Sequence, residues 1–252
     1  MLWAAVACWA ALVATPPWRD PRIHNLGNHG TKGALHAACA PLVTRIIDEV
    51  AYKGYDVRTL LRTDDDADTV DLGCGVGTST SPFGVGVDAS REMLAVARCR
   101  LPNATFERGL AERWGRTSAF SRATCAFLLH EQPRDRRRRI LRNALRIASR
   151  EVLVMDIHPT YTPSYMMKTG EPFVDDYLAH ICDDVSDAGR AAGARVTTTS
   201  HCDERVVVFA MRKSAKESVT RRPRRRNSAS SPSAGAATRV GTTTLAQAPR
   251  PP

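Results

Sequence analysis

The chain has no C-x-x-C pair, and its seven cysteines (Cys8, Cys39, Cys74, Cys99, Cys125, Cys182 and Cys202) are scattered and odd in number. That excludes a disulfide framework and a cysteine zinc site, and fits a reducing compartment. The histidines show no ligand spacing either. His130-Glu131 has no second histidine where a zinc helix would carry one, so no metal is expected. No apolar run reaches the roughly 20 residues that span a bilayer. The longest begins at Leu2 and ends at Ala14, before Thr15-Pro16-Pro17. It resembles the apolar core of a signal peptide but lacks the basic flank, the first basic residue being Arg19. A membrane-associated or packed helix is the other reading of residues 1–18, so the compartment stays open. Excess basic charge is also missing from most of the chain. The net charge is +10, but residues 213–252 hold nine basic residues against Glu217, leaving about +2 for the rest. That gives the main body no electrostatic case for nucleic acid.

What is present is concentrated in one stretch. Thr69-Val70-Asp71-Leu72 is an apolar strand that runs into Gly73-Cys74-Gly75-Val76-Gly77, and a second strand, Gly84-Val85-Gly86-Val87, ends in Asp88. Glycines let the backbone turn sharply and approach a ligand, and a carboxylate at the tip of the next strand can accept from both ribose hydroxyls. The G-x-G-x-G spacing differs from the G-x-G-x-x-G that seats a pyrophosphate on a helix N-terminus.

Asp71-Leu72-Gly73-Cys74-Gly75-Val76-Gly77 resembles the first motif of the class I S-adenosylmethionine-dependent methyltransferases, and Gly86-Val87-Asp88-Ala89-Ser90 resembles their second. The resemblance implies S-adenosyl-L-methionine as cofactor, with Asp88 on the ribose hydroxyls and Gly73, Gly75 and Gly77 forming the close-approach loop. Asp71 would fix that loop and reach the methionine amino group through water; simple loop capping is a compatible role. Ala89 follows the ribose acid. Backbone groups of Leu110 and Ala111 would meet the adenine edge. The family commonly has an acid at the position of Leu110, and an acid near the start of the fourth strand; neither is found here. Only Thr78 to Phe83 separates the glycine loop from the second strand, so the first helix is expected to shrink to about one turn.

The remaining elements follow from pattern. Residues 36–50 have helical spacing, with Leu42, Ile46, Ile47 and Val50 on one face. Ser90 caps a helix over residues 91–101. Residues 103–109 read as a third strand, and 123–133 as a fourth strand with its exit loop. A long helix spans 134–149, its Arg136–Arg139 run a solvated face. Strand five covers 151–159, and a helix begins near Asp175. Residues 194–200 and 205–212 form a hairpin across His201-Cys202-Asp203-Glu204. The expected architecture is α/β: a three-layer Rossmann-like class I methyltransferase fold, whose mostly parallel seven-stranded sheet ends in an antiparallel hairpin. The domains are then residues 1–18 as an apolar segment, 19–63 as a helical cap, 64–212 as the methyltransferase domain and 213–252 as a basic tail too poor in apolar residues to fold.

Strand ends in open α/β sheets point into the ligand crevice, which places His130 and Glu131 where a methyl acceptor would sit, with Asp156 and His158 at the same edge. His130, with an unperturbed pKa near operating pH, is the candidate general base together with Glu131; fixing its own loop is the other role. His24 and Asn25 are possible pocket residues or simple loop anchors. Residues 161–177, which carry Met166, Met167 and Phe173, read as a substrate lid or as a plain connection. The expected partner is a small-molecule methyl acceptor. Nucleic acid or an anionic membrane would be met through the basic tail only. A methyltransferase-like module that no longer catalyses is the second reading, and a nucleic-acid-associated methyltransferase recruited by the tail is the third.

Overall fold

A computed structural model of the protein describes residues 27–62 and 68–214. The apolar run 2–14, His24, Asn25, the Asp64-Asp65-Asp66 turn and the tail beyond Ser214 lie outside the described residues.

Seven strands form one sheet: β1 (Thr69–Leu72), β2 (Val85–Asp88), β3 (Thr105–Arg108), β4 (Phe120–Ala126), β5 (Ala148–Ile157), β6 (Ala194–His201) and β7 (Val206–Lys213). Their order is β3-β2-β1-β4-β5-β7-β6. Strands β1 to β5 pair in parallel, and β7 alone is reversed, antiparallel to both β5 and β6. This is the sheet the sequence pattern implied. The order reverses direction at β1, which opens a crevice at the carboxyl ends of β1 and β4.

The helices are α1 (Gly30–Ala51), α2 (Arg91–Arg100), α3 (Arg134–Ile147), α4 (Tyr165–Gly170) and α5 (Val174–Ala191). Strand β5 shows how the layers are divided. Its Val152 and Val154 join the core under α3 and α5, with Ile140, Leu141, Ile181 and Val185. Its Leu153 and Met155 face the other way, onto Val57, in a 3-10 turn at Val57–Leu60, and Leu61 just after it. Alternation along a strand buried on both faces produces this split. Helix α2 starts where expected: the Ser90 hydroxyl accepts from the Met93 N–H at 3.2 Å, satisfying an otherwise orphaned donor.

Two expectations need correcting. No helix joins β1 to β2; residues 73–84 run through turns, so the shortening goes further than one helical turn. Too few residues separate the strands for a helix to form and return. The apolar face of α1 is also not buried: Leu42 is 63% exposed and Val50 77%, with Ile46 and Ile47 exposed beside them. The helix docks instead through its small residues Gly33 and Ala37, the latter against Val76 and Met93. A Cβ at position 33 would lie 2.6 Å from the Asn28 carbonyl carbon, so glycine sets this close approach.

Candidate active site

Asp71 sits in the middle of the sheet and is buried. Its Oδ2 accepts from the Ser79 and Thr80 hydroxyls, both at 2.8 Å, and its Oδ1 from Thr124 Oγ1 at 3.1 Å. Burial pushes its pKa up, and the three hydroxyls partly offset that rise. Asp71 therefore anchors the turn segment that replaces the missing helix. Its oxygens face those hydroxyls, which is the loop-fixing role.

The glycine loop is tied to β2 by Gly73 N–H and Cys74 N–H, which donate to the Val87 carbonyl at 2.8 and 3.1 Å. Gly75 has φ +53°, in the left-handed region, and a Cβ there would meet nothing within 4 Å. Its backbone is thus open to close approach. Gly77 plays a different part, packing on Phe106, Ala97 and Leu101 beneath α2.

Asp88 closes this loop. Its Oδ2 accepts from Gly75 N–H at 2.9 Å and its Oδ1 from Ser90 N–H at 2.8 Å. Burial raises its pKa to about 6; the two N–H groups lower it, while the Glu131 and Asp71 charges add to the rise. Beside it opens a cleft of about 530 Å³ lined by Ala89, Arg108, Gly109, Leu110, Arg113 and Trp114. Of the residues the sequence reading named, Ala89 and Leu110 line it. Ala111 does not line the cleft: it is buried, and its carbonyl accepts from Asn143 Nδ2 at 2.7 Å. Arg108, Arg113 and Trp114 were not foreseen, because nothing in a strand-end pattern marks the walls around it.

The second cluster lies at the ends of β4 and β5. His130 is 5% exposed, and its Nδ1 meets Asp156 Oδ1 at 2.6 Å. Asp156 is fully buried and also accepts from the N–H groups of Leu129, His130 and Ile157. The Tyr177 ring stands edge-on to the imidazole at 6.1 Å. Burial by itself would lower the His130 pKa. The Asp156 carboxylate outweighs it, with Glu171 and Glu131 adding to the effect, and raises the pKa to about 9. That shift favours the imidazolium at neutral pH, whereas the sequence reading took His130 at its unperturbed value. His158 does not join: its Nδ1 and Nε2 face Thr160 and Ser200.

Glu131 and the buried Glu171 complete the cluster; with His130 they bring one donor atom each to within 4.8 Å of one another. Sequence reading placed Glu171 in the segment over the crevice without singling it out, since a carboxylate forty residues from its partner leaves no local pattern. The Glu131 charge raises the pKa of both Asp88 and His130, so it lies within electrostatic reach of both clusters.

Residues 69–151 match the family model described as Methyltransferase domain. No curated protein sequence matches the chain. Among solved structures, the chain is similar to a TehB-like SAM-dependent methyltransferase from Corynebacterium glutamicum, with 15% identity, 71% of this chain and 99% of that one covered, and a TM-score of 0.50. It is also similar to a chain of the complex between the Haloferax volcanii Trm112 methyltransferase activator and the putative methyltransferase, with 14% identity, 71% and 96% covered, and a TM-score of 0.52. At these identities the likeness is one of fold. The chain carries a methyltransferase domain, residues 69–151, within the fold of the class I S-adenosylmethionine-dependent methyltransferases.

Proposed function

We propose that the protein transfers a methyl group from S-adenosylmethionine to a small-molecule acceptor. One observation carries this reading: the Asp88 carboxylate clasps the open glycine loop at Gly75 beside a cleft edged by Ala89 and Leu110. The residues fit the cofactor. Asp88 would accept from the ribose hydroxyls, Gly73 and Gly75 would let the methionine part pass close to the backbone, and Ala89 and Leu110 would border the adenine. Asp71 and Gly77 hold that frame from behind.

The cofactor's sulfonium supplies a methyl group already activated for transfer, so the chain's residues mainly align the acceptor and handle its proton. Glu131, half-buried in the turn after β4, takes that proton. His130, fixed by Asp156 and with its pKa raised, orients the acceptor. The near-neutral body of the protein and the segment around Met167 and Phe173 favour a small acceptor over a nucleic acid.

A second reading, a binding module that takes the cofactor without turnover, is favoured by the helix-free connection from β1 to β2. Calorimetric titration of S-adenosylmethionine and S-adenosylhomocysteine into the full chain tests both. Micromolar binding that is lost in Asp88→Ala supports a cofactor site, and acceptor-dependent release of S-adenosylhomocysteine then separates transferase from module. A folded chain that binds neither compound would overturn both.

A further inference from the structure

We infer that His130, Glu131 and Glu171 form a binding site for one divalent transition cation at the acceptor end of the crevice. The three donors come from two separate segments, the turn after β4 and the end of α4, and only the tertiary structure brings them together. Their ligand atoms lie within 4.8 Å of one another. Three ligands about 2.2 Å from one ion stand about 3–4 Å from one another, so side-chain movements of about half an ångström close the set on a cation.

A second observation comes from the other side of the imidazole. Asp156 lies behind the triad, and its oxygens are engaged by three backbone N–H groups and by His130 Nδ1. A histidine that ligates a metal through one nitrogen typically gives the other N–H to such a carboxylate, which fixes the ring. With Nδ1 engaged by Asp156, Nε2 is the nitrogen that would ligate. One imidazole and two carboxylates suit Mn²⁺, Fe²⁺ or Zn²⁺ better than the all-oxygen sites of Ca²⁺ or Mg²⁺. Three protein ligands leave positions open for an oxygen donor. Binding places the cation on Nε2 and both carboxylates and releases the Nε2 proton to solvent, so the cation replaces a proton. An acceptor hydroxyl on an open position would have its pKa lowered, and could lose its proton without a strong protein base.

The test uses the full chain and Mn²⁺ alone, a probe chosen because exposed Cys39, Cys99 and Cys182 would capture softer ions. It requires no cofactor and no methyl transfer, so its result is independent of the reading above. Isothermal titration should show one Mn²⁺ per chain at micromolar affinity, with a matching rise in the melting temperature. Affinity should fall at least about tenfold in both Glu131→Gln and Glu171→Gln, and stay unchanged in His158→Gln. A folded chain without Mn²⁺ binding below millimolar, or binding that either glutamine variant leaves unchanged, would overturn the site. If a glutamine variant fails to fold, the wild-type melt decides: no Mn²⁺-dependent rise overturns it. A rise with methylammonium but none with Mn²⁺ would assign the pocket to an amine and also overturn it.

Discussion

His130 and Asp156, twenty-six residues apart, meet at 2.6 Å through Nδ1 and Oδ1 where β4 and β5 end side by side. The pair is buried, so its charge state is coupled to folding. Because the folded pKa of His130 is raised, from 6.5 to about 9, the pair's stabilisation is fully present below pH 6.5 and fades as the pH rises through 9. Asp156→Asn should therefore cost about 3 kcal/mol at pH 6 and much less at pH 10. Urea unfolding of both proteins at the two pH values measures this. An equal deficit at both would mean that His130 is neutral in the fold.

Asp88 gives a pH dependence of the opposite kind. Burial lifts its pKa to about 6, and in the proposed cofactor site only the carboxylate would accept from both ribose hydroxyls. Affinity for S-adenosylhomocysteine should be flat above pH 7 and weaken below pH 6, approaching about tenfold per unit as protonation dominates. Asp88→Asn should bind more weakly at pH 8 and lose the pH dependence. Titrations at pH 5, 6 and 8 would show it, and an unchanged slope in the variant would put the titrating group elsewhere.

Two glycines, one from each motif, should respond differently to alanine. Gly75 has space for a Cβ but a left-handed backbone, so Gly75→Ala costs about 1–2 kcal/mol and acts chiefly on cofactor affinity. Gly86 is a packing position: a Cβ would stand 2.5 Å from the Phe106 ring and 2.9 Å from Cys74 Sγ. Gly86→Ala should cost about 1–3 kcal/mol through overpacking, with a smaller effect on affinity per unit of stability lost. Comparing melting temperature with binding constant for each variant separates the two.

The Arg136–Arg139 run is not uniformly a solvated face. Arg137 is fully buried, with Nε at 3.0 Å from Asp184 and Nη2 at 2.9 Å from Asp176, joining α3 to α5 beneath Tyr177. Arg137→Ala leaves the Asp184 carboxylate buried with less compensation and should destabilise by about 3–5 kcal/mol. Arg139→Ala, which removes an exposed pair with Asp135, should change stability by less than about 0.5 kcal/mol. Chemical denaturation of the two variants gives the contrast.

How much of this was legible depends on how local each signal is. The first two strands, the glycine loop, the terminal Asp88 and the Ser90 cap are all contained within about twenty residues, where chain geometry alone ties sequence to structure. The hairpin likewise announces itself by alternation and a polar turn. The α1 face misleads because helical periodicity reports a stripe and says nothing of what covers it. Arg137 is similarly opaque: its identity suggests solvent, and only α5, forty residues on, supplies the two carboxylates that keep it inside.

By itself the sequence determined the α/β layering, the strand-ending acid and the open glycine loop, because each follows from short-range backbone and pattern constraints. Only the tertiary structure decided the raised pKa of His130, the burial of Asp71 under three hydroxyls and the meeting of Glu131 with Glu171. Those depend on desolvation and on distances between groups brought together by strand order, neither of which a linear spacing encodes.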